Sequence, residues 1–276
     1  MKKGFTLFAA ILTLFGCNTQ KKSDSNADAK KSKCLVVYYS QTGATQSVAQ
    51  EISKLLGADT LRIDAEQPYT GTYEATIERG KKEMVNNELP KLKPFDVNWA
   101  EYDTIFIGYP IWFGTYALPM ASLLDEVDFA GKKLVPFCTY GSGGLHSSVK
   151  DLKQAQPKAE ILNGYGVRNA RLAKAPAEVK RFLIENGYLE GKVEALPEYS
   201  AQQPVTEEEV ALFNAACGDY KYPLGTPITV GKRTTSSSTD YCFIAQSTDA
   251  QGNNVEATIY VTVENGEKPE FTEVVR

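Results

Sequence analysis

The segment Ser40-Gln41-Thr42-Gly43-Ala44-Thr45 constrains this chain more than any other. It follows a short apolar run, Cys34-Leu35-Val36-Val37-Tyr38-Tyr39, and precedes a stretch that places Val48, Ile52, Leu55 and Leu56 on one helical face. A buried strand that breaks into hydroxyls and one glycine, then enters a helix, makes an anion cradle. Gly43 lets the backbone turn sharply. The loop amides and the helix N-terminus supply positive partial charge. Ser40, Thr42 and Thr45 can donate hydroxyl hydrogen bonds to a phosphate. No lysine follows the glycine, so this is not the GxxxxGK loop that holds nucleoside triphosphates. GxGxxG is also missing, which removes a dinucleotide fingerprint. What remains is a site for a phosphate monoester, bound without a cation.

Apolar runs of about six residues then alternate with helical patterns, the mark of βαβ units and a parallel sheet. Strands are predicted near 34–39, 59–64, 103–108, 133–139 and 159–165. Helices are predicted near 45–56, 73–87, 117–127, 147–155 and 176–186, with Ser148 and Asp151 spaced to cap the fourth. Two more strands open into loops of unusual composition. The run at 103–108 leads into Tyr109-Pro110-Ile111-Trp112-Phe113-Gly114-Thr115, and the run at 133–139 into Tyr140-Gly141-Ser142-Gly143-Gly144.

The first loop resembles the phosphate loop of flavodoxins, which hold flavin mononucleotide (FMN). The two later loops, and Pro68-Tyr69-Thr70 with Tyr73 after the second strand, extend the resemblance from about residue 33 to 189. It implies an α/β, doubly wound, five-stranded parallel sheet of order 2-1-3-4-5, in the short-chain form. Ligands of such sheets sit at the carboxyl ends of the strands, at the switch point between strands 1 and 3. The three loops should therefore converge on one planar, phosphate-tailed ligand.

The cofactor-binding residues so implied are Ser40, Gln41, Thr42, Gly43, Ala44 and Thr45 in the first loop. Pro110, Ile111, Trp112, Phe113 and Gly114 follow in the second, and Thr139, Tyr140, Gly141, Ser142, Gly143 and Gly144 in the third. Trp112 and Phe113 offer a flat apolar wall. Tyr140 stands where this subfamily often has a small residue, and it either stacks on the ring or covers the loop. Ala44 stands where flavodoxins often carry Asn. That removes one hydrogen bond worth ~0.5–1.5 kcal/mol and leaves the backbone donors in place.

The amino terminus reads as an export signal. Lys2 and Lys3 precede an apolar run at 5–15, too short to span a bilayer. Leu14-Phe15-Gly16-Cys17 resembles the lipobox of bacterial lipoproteins, which implies cleavage after residue 16 and a lipid on Cys17. Cleavage removes both lysines and takes the formal net charge from −4 to −6. Residues 17–33 are polar and form a tether. These features place the protein in the bacterial cell envelope, periplasmic or surface-facing, held to a membrane by its lipid.

The flavodoxin-like segment, 34–189, gives way to a linker at 190–205 with Pro197 and Pro204. Residues 206–276 read as a small α+β domain. Thr206 and Glu209 form a capping box, and Gly218 stops the helix. Val255, Ala257, Ile259, Val261 and Val263 alternate with polar residues, as in an antiparallel strand with one wet face. Further strands are predicted at 228–232, 241–246 and 271–275. The Ser/Thr run at 234–239 is either a hairpin tip or a plain loop. Cys34 and Cys138 lie at opposite ends of parallel strands and should not pair. An oxidising compartment permits a Cys217–Cys242 disulfide, which spacing alone leaves open.

Scattered cations and a formal charge of −4 argue against nucleic acid as a partner. His146, the single histidine, reads as an exposed helix-start residue, and one histidine builds no His-rich metal site. Ser147 and Ser148 lie in no GxSxG elbow. Asp125, Asp128 and the glutamates at 207–209 read as solvated helix charges. The resemblance implies an FMN-dependent redox protein, either an electron carrier serving a partner protein or a small reductase serving a quinone. The competing reading is a non-enzymatic envelope lipoprotein that uses the fold as a scaffold for partner or glycan binding.

Overall fold

The computed structural model describes residues 33–276 except 219 and 249–251. The predicted signal peptide, Cys17 and the tether up to residue 32 lie outside the described residues. Lys33, the last residue of that tether, pairs through Nζ with Asp59 at 3.0 Å and Glu101 at 3.1 Å.

Strands β1 (Cys34–Tyr38), β2 (Asp59–Arg62), β3 (Thr104–Trp112) and β5 (Lys133–Tyr140) are joined in parallel. So are β6 (Glu160–Ile161) and β7 (Tyr165–Arg168), both against β5, giving the order β2-β1-β3-β5-β6. Counting β6 and β7 as one interrupted strand, this is the predicted 2-1-3-4-5. The period of two divides each central strand between two cores. Leu35, Val37, Ile105, Ile107 and Leu134 face α3 (Leu118–Glu126) and α4 (Leu145–Ala155). Val36, Phe106, Val135 and Phe137 face α1 (Ala44–Leu56) and α5 (Ala175–Glu185). Helix α2 (Tyr73–Asn86) buries only Gly80.

The predicted fifth strand at 159–165 is split and runs on to Arg168. Pro136 of β5 has no N–H for the ladder. Opposite it the chain bows at Gly164, where a Cβ would lie 2.8 Å from both the ring and the carbonyl oxygen of Pro136. Helix α4 begins at Leu145, two residues before the predicted start. Its N-cap is Gly144, at φ 124°, so Ser148 caps nothing and instead accepts a hydrogen bond from the Tyr109 hydroxyl.

Beyond this sheet lies an antiparallel one, in the order β12-β11-β10-β9-β8. Its strands are β8 (Gln203–Pro204), β9 (Thr226–Thr234), β10 (Ser238–Thr248), β11 (Asn254–Glu264) and β12 (Glu270–Val275). Helix α6 (Glu207–Cys217) covers one face with Phe213 and Cys217 against Val230, Phe243 and Ile259. The capping box forms as expected: Thr206 N–H donates to the Glu209 carboxylate at 2.8 Å. The end of the expected linker pairs as edge strand β8, and Glu194 earlier in it accepts the Ser236 amide at the β9–β10 hairpin tip. Cys217 and Cys242 are separate thiols and not a disulfide.

The two sheets meet through cations from the β7–α5 connection. Arg168 Nε donates to Gly141 O and its Nη1 to Phe271 O, both at 2.8 Å. The same guanidinium lies 4.1 Å over the Phe271 ring. Arg171, only 9% exposed, pairs with Glu178 and Glu270 at 2.9 Å each. Lys174 pairs with Glu264 and Glu267. Removing the Arg171 cation strands two carboxylates. Arg171→Ala should lower stability by about 2–3 kcal/mol, below the ~3–5 kcal/mol of a fully buried pair because both acids keep some water. Urea unfolding measures this, and a loss under ~0.5 kcal/mol would show the junction to be incidental.

Candidate functional site

The first loop turns into α1 as expected, but two of the three hydroxyls expected to meet a phosphate, Ser40 and Thr45, are buried and turned inward. Gly43 takes φ 93° and caps α1. Ser40 Oγ accepts the amides of Gly43 and Gln46, each at 3.2 Å. Thr45 Oγ1 lies 2.9 Å from Thr139 Oγ1 in a buried contact that ties the first loop to the end of β5. Gln41 holds the loop to the next connection, donating to Tyr69 O at 2.6 Å and accepting from the Tyr39 hydroxyl at 2.5 Å. Among the described residues, the amides of Ala44 and Thr45 meet no acceptor, so the helix N-terminus keeps free donors.

The second loop is not an open loop. Strand β3 runs on to Trp112, and β4 (Thr115–Tyr116) folds back on it, pairing Ile111 with Tyr116 and Trp112 with Thr115. The two turn residues, Phe113 and Gly114, have φ 51° and 86°. Positive φ at both positions is what a tight hairpin turn demands. Alternation along β3 then separates the aromatics from the third loop. Trp112 packs edge-on against Tyr39 and Tyr69, at centroid distances of 5.8 and 4.9 Å. Phe113 lies on Gly80 of α2, where a Cβ would come within 2.9 Å of its ring. Ile111, on the opposite face, packs against Gly144 of the third loop. The Ser147 hydroxyl donates to Gly114 O at 2.6 Å and closes the pair of loops.

The third loop meets the antiparallel sheet directly. Val274 N–H donates to Ser142 O at 2.8 Å. A Cβ on Gly143 would stand 2.2 Å from Val274 O, so only glycine allows this approach. The Glu273 stem stands against Gly143, and its carboxylate lies close enough to the Gly144 amide to be drawn toward its charged form. A bulge between Tyr260 and Val261 sets this geometry. It lets Phe271 and Val274, three residues apart, both enter the core, and it leaves Glu273 against the loop. Burial raises the Glu273 carboxyl to about 7, against the lowering pull of the Gly144 amide. Tyr140 is only 4% exposed, and its ring lies across Gly166 of the neighbouring strand β7.

Two cavities result. A cleft of about 420 Å³ is lined by Ile111, Gly114, the loop at 140–144, His146 and Ser147, with Tyr73, Tyr220, Tyr222 and the β12 end opposite. A second, of about 330 Å³, is lined by Ser40 and Gln41 with Tyr39, Arg62, Asp64, Tyr69 and Lys93. The structure thus brings the second and third loops together and places Ser40 and Gln41 at a neighbouring pocket. Trp112 and Phe113 line neither. His146 is exposed, as expected, and lies at the cleft. Sequence reasoning missed Tyr73, Tyr220, Tyr222, Glu273 and Arg276. The available signal was the Phe271–Val274 spacing, which breaks strand alternation.

A flavodoxin family model matches residues 33–184. The chain belongs to the flavodoxin family. The antiparallel region lies beyond that match. A curated relative, the NAD(P)H dehydrogenase (quinone) of Cupriavidus metallidurans, is 30% identical over 95 residues, which is 34% of this chain and 46% of that protein. The chain therefore spans about half the length of that relative. A candidate flavoprotein of Bacteroides eggerthii shares 29% identity, covering 55% of this chain and 96% of that one at a TM-score of 0.49. A Lactobacillus acidophilus flavoprotein, solved in complex with FMN, shares 20% identity over 52% of this chain and 97% of that one, at a TM-score of 0.45.

In this flavodoxin the Glu273 carboxyl titrates higher folded than unfolded, so the folded state holds the proton more tightly. Its contribution favours folding at low pH and is lost as pH rises from about 4.5 to 7. Chemical denaturation of wild type and Glu273→Gln across that window should show the wild type losing stability relative to the variant. Parallel curves would contradict the assignment. Gly143→Ala forces β12 off the loop and should cost about 1–3 kcal/mol. Hydrogen exchange at the Val274 amide should rise with it, and unchanged protection would refute the close approach.

Proposed function

We propose that this flavodoxin binds FMN non-covalently at the carboxyl rim of its parallel sheet and acts in electron transfer. The donor set supports this fit. Free amides of Ala44 and Thr45 at a helix N-terminus suit a phosphate. Gly114 and Gly141 face open space, where a ring can approach the backbone. Thr115 Oγ1 is buried without a partner among the described residues, a polar atom beside that approach that lacks a hydrogen bond. Bound FMN supplies one- and two-electron chemistry, while the protein sets potential and access. Thr42 and the α1 amides would hold the phosphate. Ile111, Gly114 and the third-loop backbone would hold the ring edge and exclude water. The reading rests above all on the sheet order, which sets the first and second loops on either side of the switch point, after β1 and β3, and the third next to them, after β5.

Within this reading, the part-length relationship to a quinone dehydrogenase favours a small reductase serving a quinone over a carrier for a partner protein. The lipobox-like segment supports export to the bacterial envelope with a lipid on Cys17. One observation favours the scaffold reading. Val274 already occupies the Ser142 carbonyl, and Glu273 stands against Gly143, on third-loop backbone that a ring edge would use.

Adding FMN to the purified protein separates these readings. The FMN reading predicts quenching of flavin fluorescence and saturable one-to-one binding, and colourless protein that leaves the fluorescence unchanged favours the scaffold. Ala44→Asn adds a side-chain hydrogen bond worth ~0.5–1.5 kcal/mol, about 2- to 12-fold in affinity. It should tighten FMN binding, and a weaker complex would argue against a phosphate in the first loop.

A further inference from the structure

The three loops carry no acidic side chain, amine or imidazole. Among the described residues lining the cleft, Glu273 is the one acidic side chain, and it comes from a strand more than a hundred residues beyond the third loop. Its stem packs on Gly143, where a Cβ would lie 3.2 Å from Glu273 Cγ, and this sets its carboxyl beside the third-loop backbone at the cleft wall. The strand is held from both ends of the contact. Val274 is bonded to Ser142, while Arg168 joins Gly141 O to Phe271 O and Arg171 pairs with Glu270. A ligand that enters the cleft therefore meets β12 in place, and it meets Glu273.

We infer that Glu273 is a proton-holding residue of the ligand cleft, so that the antiparallel sheet completes the binding site rather than standing apart from it. This rests on the FMN reading for the identity of the ligand. Filling the cleft removes water from a carboxyl already half-dried, and a desolvated carboxyl favours its neutral form. Binding then takes up a proton at Glu273. The neutral form can also donate its O–H to a ligand carbonyl, which the charged form cannot. The groups facing Glu273 leave this sign intact. Cys138 and Tyr140 at the end of β5, and Tyr260 opposite on β11, are all pushed by burial toward their neutral forms. His146, Tyr220 and Arg276 stand around the cleft, and no ion pair joins Glu273 to either His146 or Arg276.

The test measures the FMN dissociation constant of the full chain by fluorescence quenching between pH 5.5 and 8.5, for wild type, Glu273→Gln and Glu273→Ala. The FMN phosphate itself titrates near pH 6, so the readout is wild type relative to Glu273→Gln at each pH. Wild type should weaken several-fold relative to Glu273→Gln as pH rises through 7. Glu273→Ala, which keeps the strand and loses the hydrogen-bonding head group, should bind more weakly than Glu273→Gln throughout. Identical pH profiles in wild type and Glu273→Gln, with binding intact, overturn the proposal and leave the FMN reading standing. Tighter binding by Glu273→Ala also overturns it, because β12 would then compete with the ligand. Absence of FMN binding by all three proteins removes the FMN reading and this inference together.

Discussion

Burial on both faces of β1, β3 and β5 is the constraint from which the rest follows. Each of these strands gives one set of alternate residues to α1 and α5 and the other to α3 and α4. No side chain in mid-strand is left over for chemistry. Functional groups are pushed to the strand ends, where backbone amides and small residues replace packed side chains. Because the strands are parallel, the ends that carry βα loops share one rim. The buried contact between Thr45 and Thr139 shows how closely that rim is drawn together, since it joins loops almost a hundred residues apart.

That rim is partly covered by the antiparallel sheet, through an economical set of contacts. Arg168 donates to one carbonyl on each side and stacks on Phe271, so a single guanidinium satisfies polar groups and apolar surface together. The neighbouring Arg171 and Lys174 each bridge two carboxylates. All three cations come from the end of β7 and the turn into α5, which the last strand of the sheet positions beside the third loop. Docking is therefore coupled to the geometry of the flavodoxin rim itself.

Much of this was legible in the chain. The alternation of apolar runs and helical faces specifies the parallel sheet, because a strand buried on both faces must be continuously apolar. The Thr206–Glu209 capping box is a local device, and it formed as read. What escaped reading depends on contacts between distant residues. The split of the fifth strand follows from Pro136 on its neighbour, and the tight hairpin at Phe113–Gly114 follows from β3 continuing past its expected end. Trp112 and Phe113 looked like a ring wall because loops expose aromatics. Once the segment is a strand, alternation sends Trp112 to Tyr39 and Tyr69, and the turn sends Phe113 to Gly80.

The role of β12 turns on a single extra residue. Without the bulge opposite Tyr260 and Val261, strict alternation would put Phe271, Glu273 and Val275 on one face, and a carboxylate would sit in an apolar core. The bulge resolves that conflict by admitting Phe271 and Val274 and turning Glu273 aside. The residue so released comes to rest against Gly143, beside the Gly144 N-cap of α4, where a partial positive charge is already present. The Gly144 amide offsets only part of the desolvation, and the carboxyl is left poised near neutrality. A rule of strand packing in one sheet thus delivers a carboxyl group to the rim of the other, whose own three loops contain none.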